Sequence, residues 1–571
     1  MDKLTHFKWK YLGLLLTAGV MAGTLPGCGS GSGISSNETG PDDTAPTVTV
    51  TPADGATDVE RNAVISATFD EDMFAITVDE SGFSLSDGSN VNGTLSFDAM
   101  ANVATFTPSD KLAVLTRYNA VLAGSITDLS GNPLAPVNLS FTTADGTWGS
   151  EGLVESQSND AGNPGIALAA NGDAIAVWEQ QDGVLVNIWA NTYSADSSSW
   201  GTEVLIDSED LGDAHDPKVV VDDNGNATVV WQQHDGTREN IWASHYSASS
   251  ASWGSAALIE NQDSGSAERP EIAMDVNGNA MVILAIGSDL WANYYNANGS
   301  WSGEINIDND NQYINSPSVA FDSDGNVVAV WQQYHNPAPY LNNIWANHYT
   351  AGSGWGAAQL IENDDIYNGS NPQVAVEPSG NAIAIWIQYD ATHINLHASR
   401  YDSTTERWEA SEVISSIAQG TYATISGHKI AFAADGSAIA VWQQSIGDSP
   451  SVSDIIASHY SAATGWGSAS VIDSIADYDV YEPKIAMDRN GNTLALWGQE
   501  NSAFSNDIWV NRYIAGSGWS GAQIIEGNTD PVLDADAYQI AMNSNGEAMG
   551  IWQLENDDTE TDAHIWANRF E

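Results

Sequence analysis

The same phrase is written eight times between Trp148 and Glu571, and this repetition limits what the chain can fold into more than any other feature. It reads approximately Pro-x-Ile-Ala-x-Asp-x-Asn-Gly-Asn-Ala-Ile-Ala-Val-Trp-Gln-Gln, a variable stretch, Asn-Ile-Trp-Ala-Asn-x-Tyr, a short loop, then Trp-Gly-x-Ala-x-Leu-Ile-Glu. Each copy holds four apolar runs of strand length, A to D, divided by turn residues. A glycine marks the A–B turn of every copy: Gly172, Gly225, Gly278, Gly325, Gly380, Gly436, Gly491 and Gly546. Asn or Asp usually precedes it, and such pairs between apolar runs predict a two-residue type I′ turn with positive φ at both positions. Runs A and B should therefore pair antiparallel.

Tryptophan sets the register. Run B carries Trp178, Trp231, Trp331, Trp386, Trp442, Trp497 and Trp552, with Leu284 in the third copy; run C carries six more, and run D opens with a third set from Trp148 to Trp519. Rings recurring at strand positions are first of all packing between neighbouring sheets, since each removes roughly 150–250 Å² from water. In Ala174-Ile-Ala-Val-Trp178 both faces are apolar, so the sheet must be covered on both sides. Run A keeps a small residue at its middle, as expected where strands crowd around an axis. The last copy stops at Glu571 directly after run C, and its missing run D stands before the first run A, as Trp148-Gly-Ser-Glu-Gly-Leu-Val-Glu155. Joining these ends completes an eighth unit and hides two unpaired edges. The units resemble β-propeller blades, innermost strand first. The expected fold is all-β: an Ig-like sandwich, then an eight-bladed propeller at 146–571 closed by pairing of 148–155 with the C-terminal blade.

The Ig-like segment is expected over 44–144, where short β-branched runs such as Val64-Ile-Ser-Ala-Thr-Phe69 alternate with turn signals. Ala45-Pro46, Pro52-Ala-Asp-Gly55, Phe69-Asp-Glu-Asp-Met73, Asp128-Leu-Ser-Gly131-Asn132 and Phe141-Thr-Thr143 resemble the SbsA-type Ig-like domains of bacterial surface proteins, which act as spacers or structural modules. That resemblance implies no site, and the Asp-Glu-Asp run reads as a solvated loop.

Lys3, Lys8 and Lys10 followed by an apolar run from Tyr11 to Val20 read as a signal for export at 1–27, too short for a membrane span. Leu25-Pro26-Gly27-Cys28 resembles the bacterial lipobox, which implies lipidation of Cys28, the single cysteine of the chain. Gly29 after it favours, by the same resemblance, the outer membrane. Residues 28–43 are Gly, Ser, Asn and Asp in the main and read as a flexible tether.

Against 16 Lys and Arg stand 75 Asp and Glu, a formal charge of −59, so the average surface repels nucleic acid and anionic lipid, and polyanions in general are not expected as partners. Membrane contact is expected through the lipid on Cys28 alone.

If A–B and C–D turns share one face of the disc, the B–C and D–A connections share the other, and these vary most among copies. The D–A segments are long and acidic, including Asp207-Ser-Glu-Asp210, Asp308-Asn-Asp310, Glu362-Asn-Asp-Asp365 and Asp477-Tyr-Asp479. A solvated acidic rim is the plain reading. The sharper one is cation-dependent binding of a polar ligand such as a glycan, with Asp364 and Asp365 among the acids and Tyr313, Tyr367, Tyr422, Tyr478 and Tyr481 stacking on sugar rings. Calcium is the cation such a site would call for, although the A–B turns supply only part of a calcium ligand set. One run-C position reads Thr192, His245, Tyr294, His348, Arg400, His459, Arg512 and Arg569. Sialidases, also propellers, clamp a carboxylate with three arginines, but three at one repeat-equivalent position suit packing between blades better. No serine nucleophile motif, phosphate loop or zinc helix was found. The functional expectation is an envelope-anchored binding or adhesion module for a glycan or an envelope protein. A polysaccharide-cleaving or sialidase-like enzyme and a structural scaffold are the alternatives.

Overall fold

A computed structural model describes residues 43–571 apart from 157–158, 208–211, 263–264, 309–311, 336–339, 363–365, 391–392, 416–423, 446–451, 474–477, 504, 528–532 and 556–562. The predicted signal, Cys28 and most of the tether fall outside the described residues, as do Asp364, Asp365 and Tyr422.

Residues 48–143 form two four-stranded sheets. They enclose one core, in which Ile65, Phe83, Leu85, Phe106, Leu122 and Phe141 are buried. This is the sandwich that the alternation predicts.

Eight further sheets follow, each with its strands in the spatial order A-B-C-D. The A strands of blades 1 to 8 are Ala161–Leu168, Ala214–Val221, Ala267–Met274, Ile314–Phe321, Gly369–Val376, Ile425–Phe432, Val480–Met487 and Asp534–Met542. Neighbouring A strands touch all the way round, including the last with the first. Closure is as predicted: Gly152 and Leu153 pair with Ala567 and Trp566, and Trp148 bridges to Phe570. The amide of Gly149 adds a 2.8 Å bond to the carbonyl of Arg569. The eighth blade is thus built from both ends of the repeat region, and no strand edge is left open at the seam.

Two expectations are corrected in detail. The A–B turn is a three-residue loop, not a two-residue one. In blade 2 the amide of Gly225 donates to the carbonyl of Asp222 and that of Asp222 to the carbonyl of Asn226, at 3.0 and 2.9 Å. Only the glycine, at φ 80°, is left-handed. Asp222 explains the choice, because its Oδ1 accepts from the amides of Asn224 and Asn226 and its Oδ2 from the Asn226 side chain. These bonds hold the turn in its longer form and occupy the carboxylate. Strand D, read as one run, is in most blades two short pieces, such as Ser199–Trp200 and Val204–Leu205.

The tryptophans do what sheet packing requires. Those of strand B are fully buried. Those of strand D pack edge-on or tilted against the strand-C aromatic in all eight blades, from Tyr193–Trp200 at 5.4 Å to Trp148–Phe570 at 5.6 Å across the seam. Between blades, the Asn of Ala-Asn-x-Tyr reaches the preceding D strand. Asn191 Nδ2 donates to the Val154 carbonyl at 2.7 Å, and Asn347 Nδ2 to that of Ile307 at 2.9 Å.

The Ig-like unit rests on the A–B face of blades 7 and 8. Val114 is wholly buried in a cluster with Leu494, Leu496, Trp552 and Phe570, and its amide donates to the Asn545 carbonyl at 2.8 Å. Arg61–Glu547 at 2.7 Å, Arg512–Asp145 at 2.6 Å and the Arg489–Asp87 pair ring this contact. Among the described residues, no part of the Ig-like unit lies on the opposite face, which carries the B–C and D–A connections.

Candidate functional site

On that face a funnel of about 700 Å³ runs into the middle of the disc, lined chiefly by the A strands of blades 1, 2, 3, 6, 7 and 8. Its rim owes its shape to one irregularity repeated eight times. The A–B register breaks in every blade, as between His215 and Lys218. The residue at the break has positive φ throughout: Asn163, Asp216, Arg269, Ser316, Asn371, Gly427, Glu482 and Ala537. Seven of these are not glycine, and a left-handed conformation costs such a residue on the order of 1–2 kcal/mol. Proline follows in six blades, a residue that fits beside a bulge because it has no amide to pair. Where His428 replaces it, burial pushes the imidazole down to about 4, so the ring is neutral and its Nε2–H donates to the Asn371 carbonyl at 2.6 Å. Where Tyr538 replaces it, the hydroxyl donates to the Tyr481 carbonyl at 2.6 Å.

Two residues deeper lies the waist: Gly165, Lys218, Glu271, Ser318, Gln373, Lys429, Lys484 and Gln539. Lys218, Glu271, Lys429 and Lys484 line the funnel together. These are the only lysines after Lys111, so every lysine of the repeat region stands at one repeat-equivalent position. Lys429 Nζ donates to Gln373 Oε1 at 3.2 Å and Lys484 Nζ to Glu482 Oε2 at 3.3 Å, whereas Lys218 makes no hydrogen bond or ion pair among the described residues. Burial first, and then repulsion from Lys484, pushes the Lys429 ammonium down to about 8. Burial raises Glu271 against the pull of Lys218 and Lys429. Beyond the waist, Met274, Phe321, Val376, Phe432 and Met487 line a separate depression on the A–B face.

The tyrosines named from sequence are spread over this face. Tyr481 lines the funnel, its hydroxyl donating to Glu500 Oε1 at 2.7 Å. Tyr313 is 51% exposed at the entry to blade 4, and its hydroxyl takes a 3.3 Å bond from Arg269. Tyr367 and Tyr478 are half-buried before blades 5 and 7. The acidic-rim expectation is corrected at its leading residues: Asp207, Asp308 and Glu362 are buried at the ends of their D strands. Asp207 Oδ2 accepts from the Ile188 amide at 3.2 Å, which draws that residue inward. Among the described residues no group of three or more His, Cys, Asp or Glu is placed to hold a metal ion.

The three arginines of strand C do not converge. Arg400 pairs with Glu409, Arg512 with Asp145 and Arg569 with Glu547 and Glu571. Arg512 lies over Phe570 and Arg569 over Tyr193, each on the next blade. Their repeat mates His245, Tyr294, His348 and His459 stack likewise on Tyr295, Tyr349, Tyr401 and Tyr513. In six of the eight blades this position is cement to the next blade, whereas Arg400 pairs within its own.

The waist lysines are absent from the sequence reading. They sit at the variable x of Pro-x-Ile-Ala, and their signal was that three scarce cations share one frame.

The chain is therefore an all-β protein in which an Ig-like unit is followed by a closed ring of eight blades. Residues 42–143 match the family model of a bacterial Ig-like domain. No curated protein matches the chain. Among solved structures, a protein of unknown function from Dyadobacter fermentans is similar at 10% identity and TM-score 0.38, over 75% of this chain and 99% of that one. An ulvan lyase, a polysaccharide lyase bound to -[GlcA(1-4)Rha3S]-, is similar at 8% identity and TM-score 0.45, over 73% and 95%. The NanB sialidase of Streptococcus pneumoniae is similar at 11% identity and TM-score 0.32, over 89% and 83%. The architecture stands on the strand pairing rather than on these weak likenesses.

Proposed function

We propose that this protein is a binding module, held at the bacterial envelope by lipid on Cys28, which grips a glycan or another envelope polymer at the funnel on its B–C and D–A face. The observation that carries this reading is the funnel itself. Eight bulges hold its rim in left-handed backbone, and the Ig-like unit sits on the opposite face, so the mouth stays open to a large ligand. Tyr481 at the funnel, with Tyr313, Tyr367 and Tyr478 elsewhere on the same face, offers aromatic surface that suits sugar rings. The arginine clamp of the sialidase-like alternative finds no support, since Arg400 is paired within its own blade and Arg512 and Arg569 are used between blades.

The test is retention of the full chain on a panel of bacterial envelope and matrix polysaccharides, with calcium and with chelator, while released sugar ends are measured. Retention without release supports a binding module; release of oligosaccharides makes it an enzyme, and no retention on any polymer removes the reading. Cys28→Ala should move the protein from the membrane to the soluble fraction, and an unchanged distribution would refute the anchor.

A further inference from the structure

We infer that the funnel takes an acidic sugar residue, a uronate or a sulfate ester, with its anionic group held at the waist by Lys218, Lys429 and Lys484; this rests on the polymer-binding reading above. A chain of −59 repels a polyanion over its average surface, but all three lysines of the repeat region are drawn to one layer of one cavity, which makes the waist a local exception to that charge. A structural role accounts for Lys484, which is tied to Glu482, but less for Lys218, which feels the charge of Glu271 yet makes no hydrogen bond or ion pair among the described residues. With Glu271 the only acid in that layer, the waist carries three cations against one anion. Burial first, and then the charges of Lys484 and Lys218, disfavour the Lys429 ammonium, and a bound anion offsets both.

The rim above the waist is of the other character. Asp216, Glu482 and Asp536 line the mouth, and carboxylates there accept hydrogen bonds from hydroxyls. An inorganic anion has no use for these acceptors, and a neutral sugar has none for the lysines. A sugar that carries hydroxyls at one edge and a charge at the other satisfies both layers.

The experiment is calorimetric titration of the full chain at low salt with four probes: an oligogalacturonate, a sulfated galactan oligosaccharide, the same galactan unsulfated, and sodium sulfate. The acidic oligosaccharides should bind and lose roughly tenfold or more in affinity in Lys218→Gln and Lys429→Gln. Unchanged thermal unfolding of both variants confirms that they fold. Which of the two acidic probes binds distinguishes carboxylate from sulfate. If the neutral galactan binds as well as the sulfated one, or the lysine variants bind normally, the inference falls while the polymer-binding reading stands. If sodium sulfate binds in a lysine-dependent way and no oligosaccharide does, the acidic-sugar assignment falls and only a small-anion site is left at the waist. If no probe binds, the inference is overturned, while retention on the polysaccharide panel decides the polymer-binding reading separately.

Discussion

The indole Nε1 of Trp331 donates to Oε1 of Gln333, two residues along the same strand and 3.0 Å away, with both side chains buried. The same bond recurs in five other blades, from Trp178–Gln180 to Trp497–Gln499. It gives the phrase Trp-Gln-Gln its second glutamine: a tryptophan buried on every side has no water to meet its N–H. Blade 3 replaces both partners by Leu284 and Ile286. Blade 8 keeps Trp552 but has Leu554, and there the indole nitrogen is buried without a partner. Gln333→Leu should therefore cost about 1–3 kcal/mol in chemical denaturation, the penalty of a buried donor left unpaired. Trp552→Phe should cost less than Trp331→Phe, because it breaks no hydrogen bond. Equal costs would show that the bond contributes nothing.

The seam of the ring is held by short pairing and by Trp148 on Phe570. Removing that indole takes away the packing of the whole N-terminal segment on the last blade. Trp148→Ala should destabilise the fold by about 3 kcal/mol. It should also speed hydrogen exchange over His564–Phe570 relative to the equivalent strand of blade 4, Asn342–Thr350. Exchange rising equally in both strands would mean that the seam is not where the ring opens.

The ring, its eight units and its closure were legible in the sequence because each depends on residues that recur: turn glycines, strand tryptophans, and a detached run D matching its counterparts. The turn type was not, since Asp222 and its repeat mates act through side-chain bonds to the backbone that dipeptide preference does not register. Averaging over copies exposed the scaffold and erased the waist, where difference between blades is the signal. The first acids of the D–A segments misled for a related reason. In sequence nothing sets Asp207 and Asp308 apart from the other acids of their segments, and only the end of strand D turns them inward.

Those inward acids give the chain an unusual response to pH. Burial pushes Asp308 up to about 7, Asp473 to about 6 and Glu526 to about 9, with Asp289, Asp454 and Asp507 respectively adding repulsion. A carboxyl whose pKa is higher folded than unfolded binds its proton more tightly in the native state, so stability falls as pH rises from about 4 through the folded value. Between pH 6 and 9 ordinary carboxylates stay ionised, which leaves these groups exposed to view. The midpoint of thermal unfolding should drop across that range in the native chain and drop less in Glu526→Gln, with the variant the more stable of the two at pH 9. Lys429 works in the opposite sense near pH 8 but is common to both proteins and cancels in their difference. Parallel curves would refute the assignment of Glu526.

The Ig-like unit was read from its sequence as a spacer, and a spacer on a flexible joint needs no buried contact with what it carries. Here Val114 is fully enclosed against Leu494 and Phe570, and the Arg61–Glu547 and Arg512–Asp145 pairs stand beside it. Val114→Asp places an unpaired carboxylate in that apolar contact, at a cost of several kcal/mol that separation of the two units avoids. X-ray scattering should then show a longer maximum dimension, and protease should cut between Ala144 and Trp148, while each unit keeps its own unfolding transition. A variant as short and as resistant as the native chain would mean that the ion pairs alone hold the two units together, and Arg61→Ala with Arg512→Ala would be needed to part them.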